Sequence, residues 1–409
     1  MGQRLRFWVI ADDVTGALDT AAPFAAHGWP TCVVPWPGAA ARTMAARLRQ
    51  AARTHDVVVI DTASRHVPAR EAARRVRAVV AAARRADAGA AGSAGFYKKI
   101  DSTLRGNVAA ELGAFRAATG AARLPLAPAF PAQGRTTRGG AVWVDGRPLS
   151  RSAAARDALA PAIAGDLVRL GPRGALEVFD ARTDADLRRI ATRLAGTGRL
   201  GAVAGSGGLA GAIAARFGSP RRAAMPRLAA GAPGILVVSG SAHPAAQVQA
   251  RALVAAGALG LIAPIDARSA SRDRRAAEAL ALAAMAAGRP VVLACPPLPA
   301  GTRVSVRRAA AAARRLADLA GAIVTAGAVG AVFTVGGDTT AAMVAAMGWA
   351  PLAVEGVLVP GVAVVRLARR AGPAWLITKS GGFGDPHTLR RLVRRLTIVP
   401  SPGRSATLR

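Results

Sequence analysis

The chain has 409 residues, 52% hydrophobic and 4% aromatic, with a formal net charge of +32. That length is long for one core and sets an expectation of two domains; no apolar run reaches the about 20 residues of a membrane span, so no membrane partner is expected. Of the 55 basic residues only Lys98, Lys99 and Lys379 are lysine, and the arginines lie in nearly every helical stretch; with few aromatics to stack on bases, the charge reads as a bias toward Arg that draws in anionic substrates, not as a nucleic-acid surface.

Residues 5–10 are an apolar run of strand length, followed by Asp12-Asp13-Val14-Thr15-Gly16 and a helical stretch toward Gly28. Two adjacent carboxylates at the end of a buried strand are costly without partners, which singles out Asp12 and Asp13; the plainer alternative is a helix N-cap with a solvated neighbour. Residues 31–34 form a second strand, and an Arg-rich helix follows Ala39. The third strand, 56–61, ends in Asp61-Thr62-Ala63-Ser64-Arg65-His66, and a long Ala/Arg helix follows Pro68. The fourth strand is 96–100. Asp101, Ser102, Thr103, Arg105, Gly106 and Asn107 fill the turn after it, and Val108, Leu112 and Phe115 then recur at helical spacing. Strands alternating with helices predict an α/β fold with a parallel, doubly wound sheet, whose ligands sit at the carboxyl ends of strands. A lysine in so Arg-rich a chain points to a need for a compact point charge, and Lys98 and Lys99 stand just before Asp101.

Residues 125–140 carry too much Pro and Gly for regular structure and read as an ordered loop with polar, function-bearing side chains. Residues 141–144 form a strand before an Asp145-Gly146 turn. Further on, Gly205-Ser206-Gly207-Gly208-Leu209-Ala210 matches the dinucleotide-binding fingerprint with Ala in the last place. The acidic ribose partner is missing, since no Asp or Glu lies between Asp186 and Asp266, though Arg221 and Arg222 could serve a phosphorylated dinucleotide. An NADP-dependent dehydrogenase is therefore the runner-up. The Pro- and Gly-rich residues 218–234 mark the domain boundary. Beyond it, strands are expected at 235–238, 259–265, 291–295, 331–335 and 375–378. Three of them end in Ser239-Gly240-Ser241, Gly336-Gly337-Asp338-Thr339-Thr340 and Lys379-Ser380-Gly381-Gly382-Phe383-Gly384-Asp385. Such turns aim backbone N–H groups at one spot and suit phosphates; without a Walker A sequence a P-loop NTPase is excluded. Cys32 and Cys295 lie in separate apolar segments and read as buried thiols. With no signal-peptide pattern around Arg4 and Arg6, the cytoplasm is the expected location. The five His have no metal-ligand spacing.

Together these motifs resemble the four-carbon acid sugar kinase family, whose members phosphorylate threonate, erythronate or 3-oxo-tetronate with ATP. The resemblance runs through residues 11–17, 61–65, 98–107 and 127–135, then 239–241, 336–339 and 379–384; the 98–107 run is the most specific. It implies two α/β domains, each a mostly parallel sheet flanked by helices: a sugar-acid-binding domain over 1–225 and a nucleotide-binding domain over 226–409, with catalysis in the cleft between them. Carried over, Asp12, Arg65 and residues 99–102 fall on substrate-binding positions, and Ser241, 336–339 and 382–384 on ATP-binding positions. Ala242-His243 after Ser241 departs from the small polar residues expected there, and residues 205–211 also match a family segment, which weakens the dehydrogenase reading.

The two lines of reading give one set of candidates. Asp101, Asp12 and Lys99 are catalytic, with Asp101 the first choice as general base. Asp12, Asp13, Arg65, Lys98, Lys99, Asp101, Ser102, Arg105 and Asn107 bind substrate, with Arg65, Lys99 and Arg105 holding its carboxylate. Ser239, Ser241, Gly336, Gly337, Asp338, Thr339, Lys379, Gly381, Gly382 and Gly384 bind ATP. Mg²⁺ arrives with the nucleotide, with Asp13 or Asp338 able to organise it. A homodimer is left open, and a non-catalytic sugar-acid- and nucleotide-binding regulator is a further alternative, because fold does not fix function.

Overall fold

The computed structural model describes residues 6–36, 41–88, 94–152, 155, 166–218, 234–263, 270–296, 305–327, 329–367 and 375–397. In chain order the first elements are β1 (Arg6–Ala11), α1 (Val14–Ala26), β2 (Thr31–Pro35), α2 (Ala41–Ala52), β3 (Val57–Asp61), α3 (Ala69–Asp87), β4 (Ala94–Lys99) and α4 (Val108–Thr119). Then come β5 (Leu124–Ala127), β6 (Arg135–Arg138), β7 (Ala141–Val144), β8 (Arg147–Pro148), β9 (Leu176–Val178), α5 (Asp184–Gly196), β10 (Ala202–Gly205) and α6 (Gly207–Phe217). The second half adds β11 (Gly234–Ser239), α7 (Pro244–Ala255), β12 (Leu259–Ile262), α8 (Ala270–Ala286), β13 (Val291–Ala294), α9 (Val306–Thr325), β14 (Val329–Val335) and α10 (Gly337–Ala346). It closes with β15 (Leu352–Val359), β16 (Val362–Arg366), β17 (Trp375–Lys379) and α11 (Thr388–Thr397).

The chain packs as two units, Met1–Ala223 with Gly301–Ala310 and Gly348–Arg366, and Ala224–Ala300 with Ala311–Met347 and Leu367–Arg409. In the first, the strand order runs β2–β3–β1–β4–β10–β5–β9, all parallel, with the β15–β16 hairpin added antiparallel to β2. The parallel strands are buried along their length and therefore read as unbroken apolar runs such as Phe7–Ala11 and Val57–Ile60. Helices α2, α3 and α4 pack side by side, and α1 packs against α6. Trp8, Val58, Val76, Leu112 and Phe115 fill the core on the α2–α4 side. A single division at 225/226 does not describe this unit, because Leu352, Ala353 and Val354 pair with Val33, Cys32 and Thr31 and bring β15 into the first sheet. The stretch 125–140, expected as loop, holds part of β5 and all of β6, which pairs with β7.

In the second unit the order is β12–β13–β11–β14–β17, all parallel. Among the described residues no helix is long and apolar enough to cross a membrane. In each unit the chain runs from its first strand to an outer strand, returns to the strand beside the first, then crosses to the other side, at β1/β4 and at β11/β14. Those crossing points are where an open α/β sheet leaves a crevice outside the carboxyl ends of its strands.

Candidate functional site

The ends of β1, β3 and β4 lie on neighbouring parallel strands, so Asp12, Arg65 and Asp101 converge. Thr62 N–H donates to Ala11 O, and the N–H groups of Ser64 and Arg65 donate to Asp12 O, which ties the third strand's loop to the end of the first. Arg65 then reaches back: its Nε and Nη2 donate to the two Asp12 oxygens at 2.8 and 3.2 Å, and Nη1 to Asp13 Oδ2 at 2.5 Å. Asp101 Oδ2 lies 3.5 Å from the same guanidinium. Asp13 caps α1 through Gly16 N–H at 2.7 Å, and a side chain at Gly16 would come within 3.2 Å of Lys99 Nζ, so glycine lets the helix approach that amine. Gly106, at φ +85°, lies against Arg65 and Asp12 in the same way.

The cluster settles its own charges. For Asp12, burial pushes the carboxyl up, but Arg65, Lys98 and Lys99 outweigh it and hold the group below the usual range. Asp101 lies well below that range: burial is overcome by Arg105, at 2.7 Å, with Arg65 and Lys99. Asp101 also accepts from Thr103 N–H and Oγ1, so both its oxygens are occupied. Asp13, sharing Arg65 with Asp12, is raised by burial and by that neighbouring charge.

Several expected substrate contacts take other roles. Successive strand residues face opposite sides of a sheet, so Lys98 and Lys99 diverge. Lys98 is fully buried, paired with Glu111 on α4 at 2.8 Å, and also donates to Ile10 O and Lys99 O; no donor is left for a ligand. Glu111 in turn accepts from Ser64 Oγ. Asn107 spends its amide N–H groups on Ser64 O and Val67 O, bracing the Arg65 loop. Arg65 itself, with 12% of its side chain exposed, has a carboxylate on every nitrogen, and Arg105 is paired with Asp101. Lys99, on the α1 side, donates to Ile100 O at 3.0 Å and faces Asp12, Asp13, Asp19 and Asp101. Ser102 is half-buried beside it in the same loop.

Three groups absent from the candidate set stand here. Asp61, at the end of β3, is pushed up to about 7 by burial and by Asp13 and Asp12. Asp19, on α1, is pushed up to about 6 by burial. Arg135, at the start of β6, has a buried Nε–H with no hydrogen-bond partner among the described residues, and its charge is felt by Asp19. An acidic residue one turn inside a helix and an Arg in a Gly-rich loop are ordinary in a sequence; only tertiary placement distinguishes them.

The fingerprint Gly205–Ala210 is filled by the protein itself. A side chain at Gly205 would meet Ala127 O and Tyr97 Oη, one at Gly207 would meet Asp19, and one at Gly208 would meet Ala129 O. Ser206 Oγ donates to Ala129 O at 2.6 Å. Close packing against the protein's own chain thus accounts for these glycines without a dinucleotide; Arg221 and Arg222 lie outside the described residues.

In the second unit the three glycine turns meet. Gly336, at φ +105°, lies where a Cβ would be 3.1 Å from Ser241 Cβ; a side chain at Gly381 would overlap the Ser241 hydroxyl, and one at Gly382 would touch His243. Gly336 N–H donates to Lys379 O at 2.9 Å. Ser239 ends β11, while Gly337, Asp338 and Thr339 form the first turn of α10, where unpaired N–H groups favour an anion. Lys379 is turned inward: Nζ donates to Ser380 O at 2.8 Å and Phe383 O at 2.7 Å, and burial lowers its amine to about 8. Gln249, a residue the sequence did not single out, donates to Phe383 O, Gly384 O and Asp385 O. Lys379 and Gln249 thus draw the carbonyls of this loop into the protein, so Lys379 shapes the loop.

Two family models match the chain in order: Sugar-binding N-terminal domain over residues 7–173 and Nucleotide-binding C-terminal domain over 236–389. A D-threonate kinase of Bordetella bronchiseptica is 34% identical over 95% of this chain and 96% of its own length. A D-threonate kinase of Cupriavidus necator is 33% identical over 96% and 99%. A solved Haemophilus influenzae protein of the DUF1537 family shares the fold, with a TM-score of 0.68 at 21% identity over 96% of this chain and 100% of that one. The matches define a two-domain α/β protein with a sugar-binding and a nucleotide-binding half. The chain belongs to the four-carbon acid sugar kinase family.

Proposed function

We propose that the protein transfers the γ-phosphoryl group of ATP to a hydroxyl of a four-carbon acid sugar, with D-threonate the first acid to test. The observation that carries this reading is the cluster of Asp12, Asp13, Asp101 and Arg65 at the carboxyl ends of β1, β3 and β4. Its carboxylates are fixed by guanidinium groups and can accept hydrogen bonds from sugar hydroxyls without moving. The anionic end of the acid pairs with Lys99 and with the open Nε–H of Arg135. Charge-assisted bonds of this kind are about twice as strong as neutral ones, which favours acids over neutral polyols.

Phosphoryl transfer rests mostly on positioning and charge neutralisation. In the second unit the amides around Ser241, Gly336 and Gly381 hold the phosphates. Among the described residues no group of three or more His, Cys, Asp or Glu side chains is placed to hold a metal. A Mg²⁺ carried in by the nucleotide is usually bound by phosphates with one or two carboxylates. Asp338, exposed in the first turn of α10, is such a carboxylate. When bound, Mg²⁺ supplies positive charge to the phosphates. The two free cysteines fit a reducing compartment, the cytoplasm.

The test is ADP release with D-threonate, D-erythronate, 3-oxo-tetronate and the neutral alcohol matching each. Turnover with at least one acid and little with its alcohol is expected. No ADP release with any of the acids overturns the assignment.

A further inference from the structure

We propose that Asp19 is the general base of the transfer and takes the proton of the attacking sugar hydroxyl. The proposal rests on the sugar-acid kinase reading above. A base needs a free lone pair and a proton affinity matched to working pH. Asp12, Asp13 and Asp101 meet the first requirement poorly: each of their oxygens already accepts from Arg65, Arg105, Thr103 or Gly16 N–H, which leaves lone pairs for hydroxyl contacts but competes with an incoming proton. Asp101 also fails the second, being held well below the carboxylate range. Asp19 makes no hydrogen bond and no ion pair among the described residues. It is half-buried on α1, and its Oδ2 lies 2.6 Å from where a Cβ on Gly207 of α6 would be, so that glycine leaves room for the carboxylate.

The groups facing Asp19 come from several elements: Lys99 and Tyr97 on β4, Asp101 after it, Asp13 on its own helix and Arg135 on β6. Burial pushes the carboxyl up to about 6, Asp13 and Asp101 add to that, and Lys99 and Arg135 oppose it. A group so poised is ionised at neutral pH yet basic enough to accept a proton. In the step, a sugar O–H gives its proton to an Asp19 oxygen while the sugar oxygen bonds to the γ-phosphorus. The bond from that phosphorus to the bridging oxygen breaks, and its electron pair leaves on ADP. The proton on Asp19 is then lost to solvent.

Asp61 is the competing candidate, because it too is raised, to about 7. It differs in accepting Ala63 N–H at 2.8 Å and in being almost wholly buried. The experiment measures kcat and KM against pH, with D-threonate and saturating ATP, for the wild type, Asp19→Asn, Asp19→Glu and Asp61→Asn. Thermal unfolding checks each fold. The expected wild-type kcat/KM falls on the acid side with a midpoint near 6. Asp19→Asn should lower kcat about 10²-fold or more, leave KM little changed and abolish that acid limb; Asp19→Glu should recover part of the rate. Removing an unpaired buried charge should leave the fold at least as stable at neutral pH. An active wild type whose Asp19→Asn form keeps kcat, or keeps the acid limb, overturns the Asp19 assignment alone, as does an acid limb lost only in Asp61→Asn. A wild type that releases no ADP with any four-carbon acid overturns the kinase reading, and Asp19 with it.

Discussion

Arg65 has a carboxylate on every nitrogen, so its loss is felt first in the fold. Removing one partner from a buried ion pair costs about 3–5 kcal/mol, and Arg65→Ala would strand Asp12 and Asp13 side by side. The pH dependence has a definite sign. In the native protein Asp12 and Asp101 sit below the ordinary carboxylate value of 3.8, so they contribute stability that is present above that value and lost as pH falls through the folded values. Without Arg65, Asp12 and Asp13, buried and deprived of their ion-pair partner, favour protonation and destabilise the fold as pH rises. The deficit of Arg65→Ala in thermal unfolding should therefore be large at pH 7 and shrink below pH 4; an equal deficit at both would show that packing, not charge, is the role of Arg65. Arg135 carries the opposite expectation. Its open Nε–H suits the receptor role proposed for it, and Arg135→Ala should raise KM for the sugar acid at least tenfold, within the about 2–5 kcal/mol seen when a buried charge loses its partner. KM for ATP should stay near the wild-type value; a parallel rise in both would remove Arg135 from the sugar site.

At the scale of elements, β4 does two jobs through its pleat. Lys98 points to α4 and Glu111, and Lys99 points to α1 and the charged cluster. Lys98→Met leaves Glu111 buried with only Ser64 Oγ, and should lower stability by several kcal/mol, on the scale of a broken buried pair. The double variant Lys98→Met/Glu111→Leu should recover most of that loss, since a well-packed apolar pair can replace a buried ion pair at little cost. A double variant no more stable than the single one would mean that the pair fixes the β4–α4 geometry. Much of this was legible in the sequence: the strands ending at Asp12, Asp61 and Lys99 and the helices after them follow from apolar runs and periodicity. The opposite facing of Lys98 and Lys99 was also implicit in strand alternation. What local pattern does not carry is long-range pairing. Nothing in residues 352–366 announces that β15 leaves the second half to pair with Thr31–Val33. Asp19 and Arg135 are illegible for the same reason, because what marks them is the absence of a partner that only the folded chain could supply.

Across the molecule, both units repeat one scheme: a first strand flanked by the third and fourth, with polar or glycine-rich turns at the crossing point. The first unit fills its turns with charge, and the second with glycine. Backbone amides at Gly337 and Gly381 have no side chain to screen them, and a phosphate can approach them closely. A side chain at Gly381 would overlap the Ser241 hydroxyl and so push apart two of the three turns. Gly381→Val should therefore abolish nucleotide binding and leave sugar-acid binding intact. Ligand-dependent unfolding separates the two, because a ligand at 100 times its dissociation constant stabilises the native state by about 2.7 kcal/mol. The wild type should be protected by ATP and by D-threonate, and Gly381→Val by D-threonate only. Undiminished protection by ATP would place the nucleotide away from these turns, and loss of both protections would mean that the substitution had unfolded more than one loop.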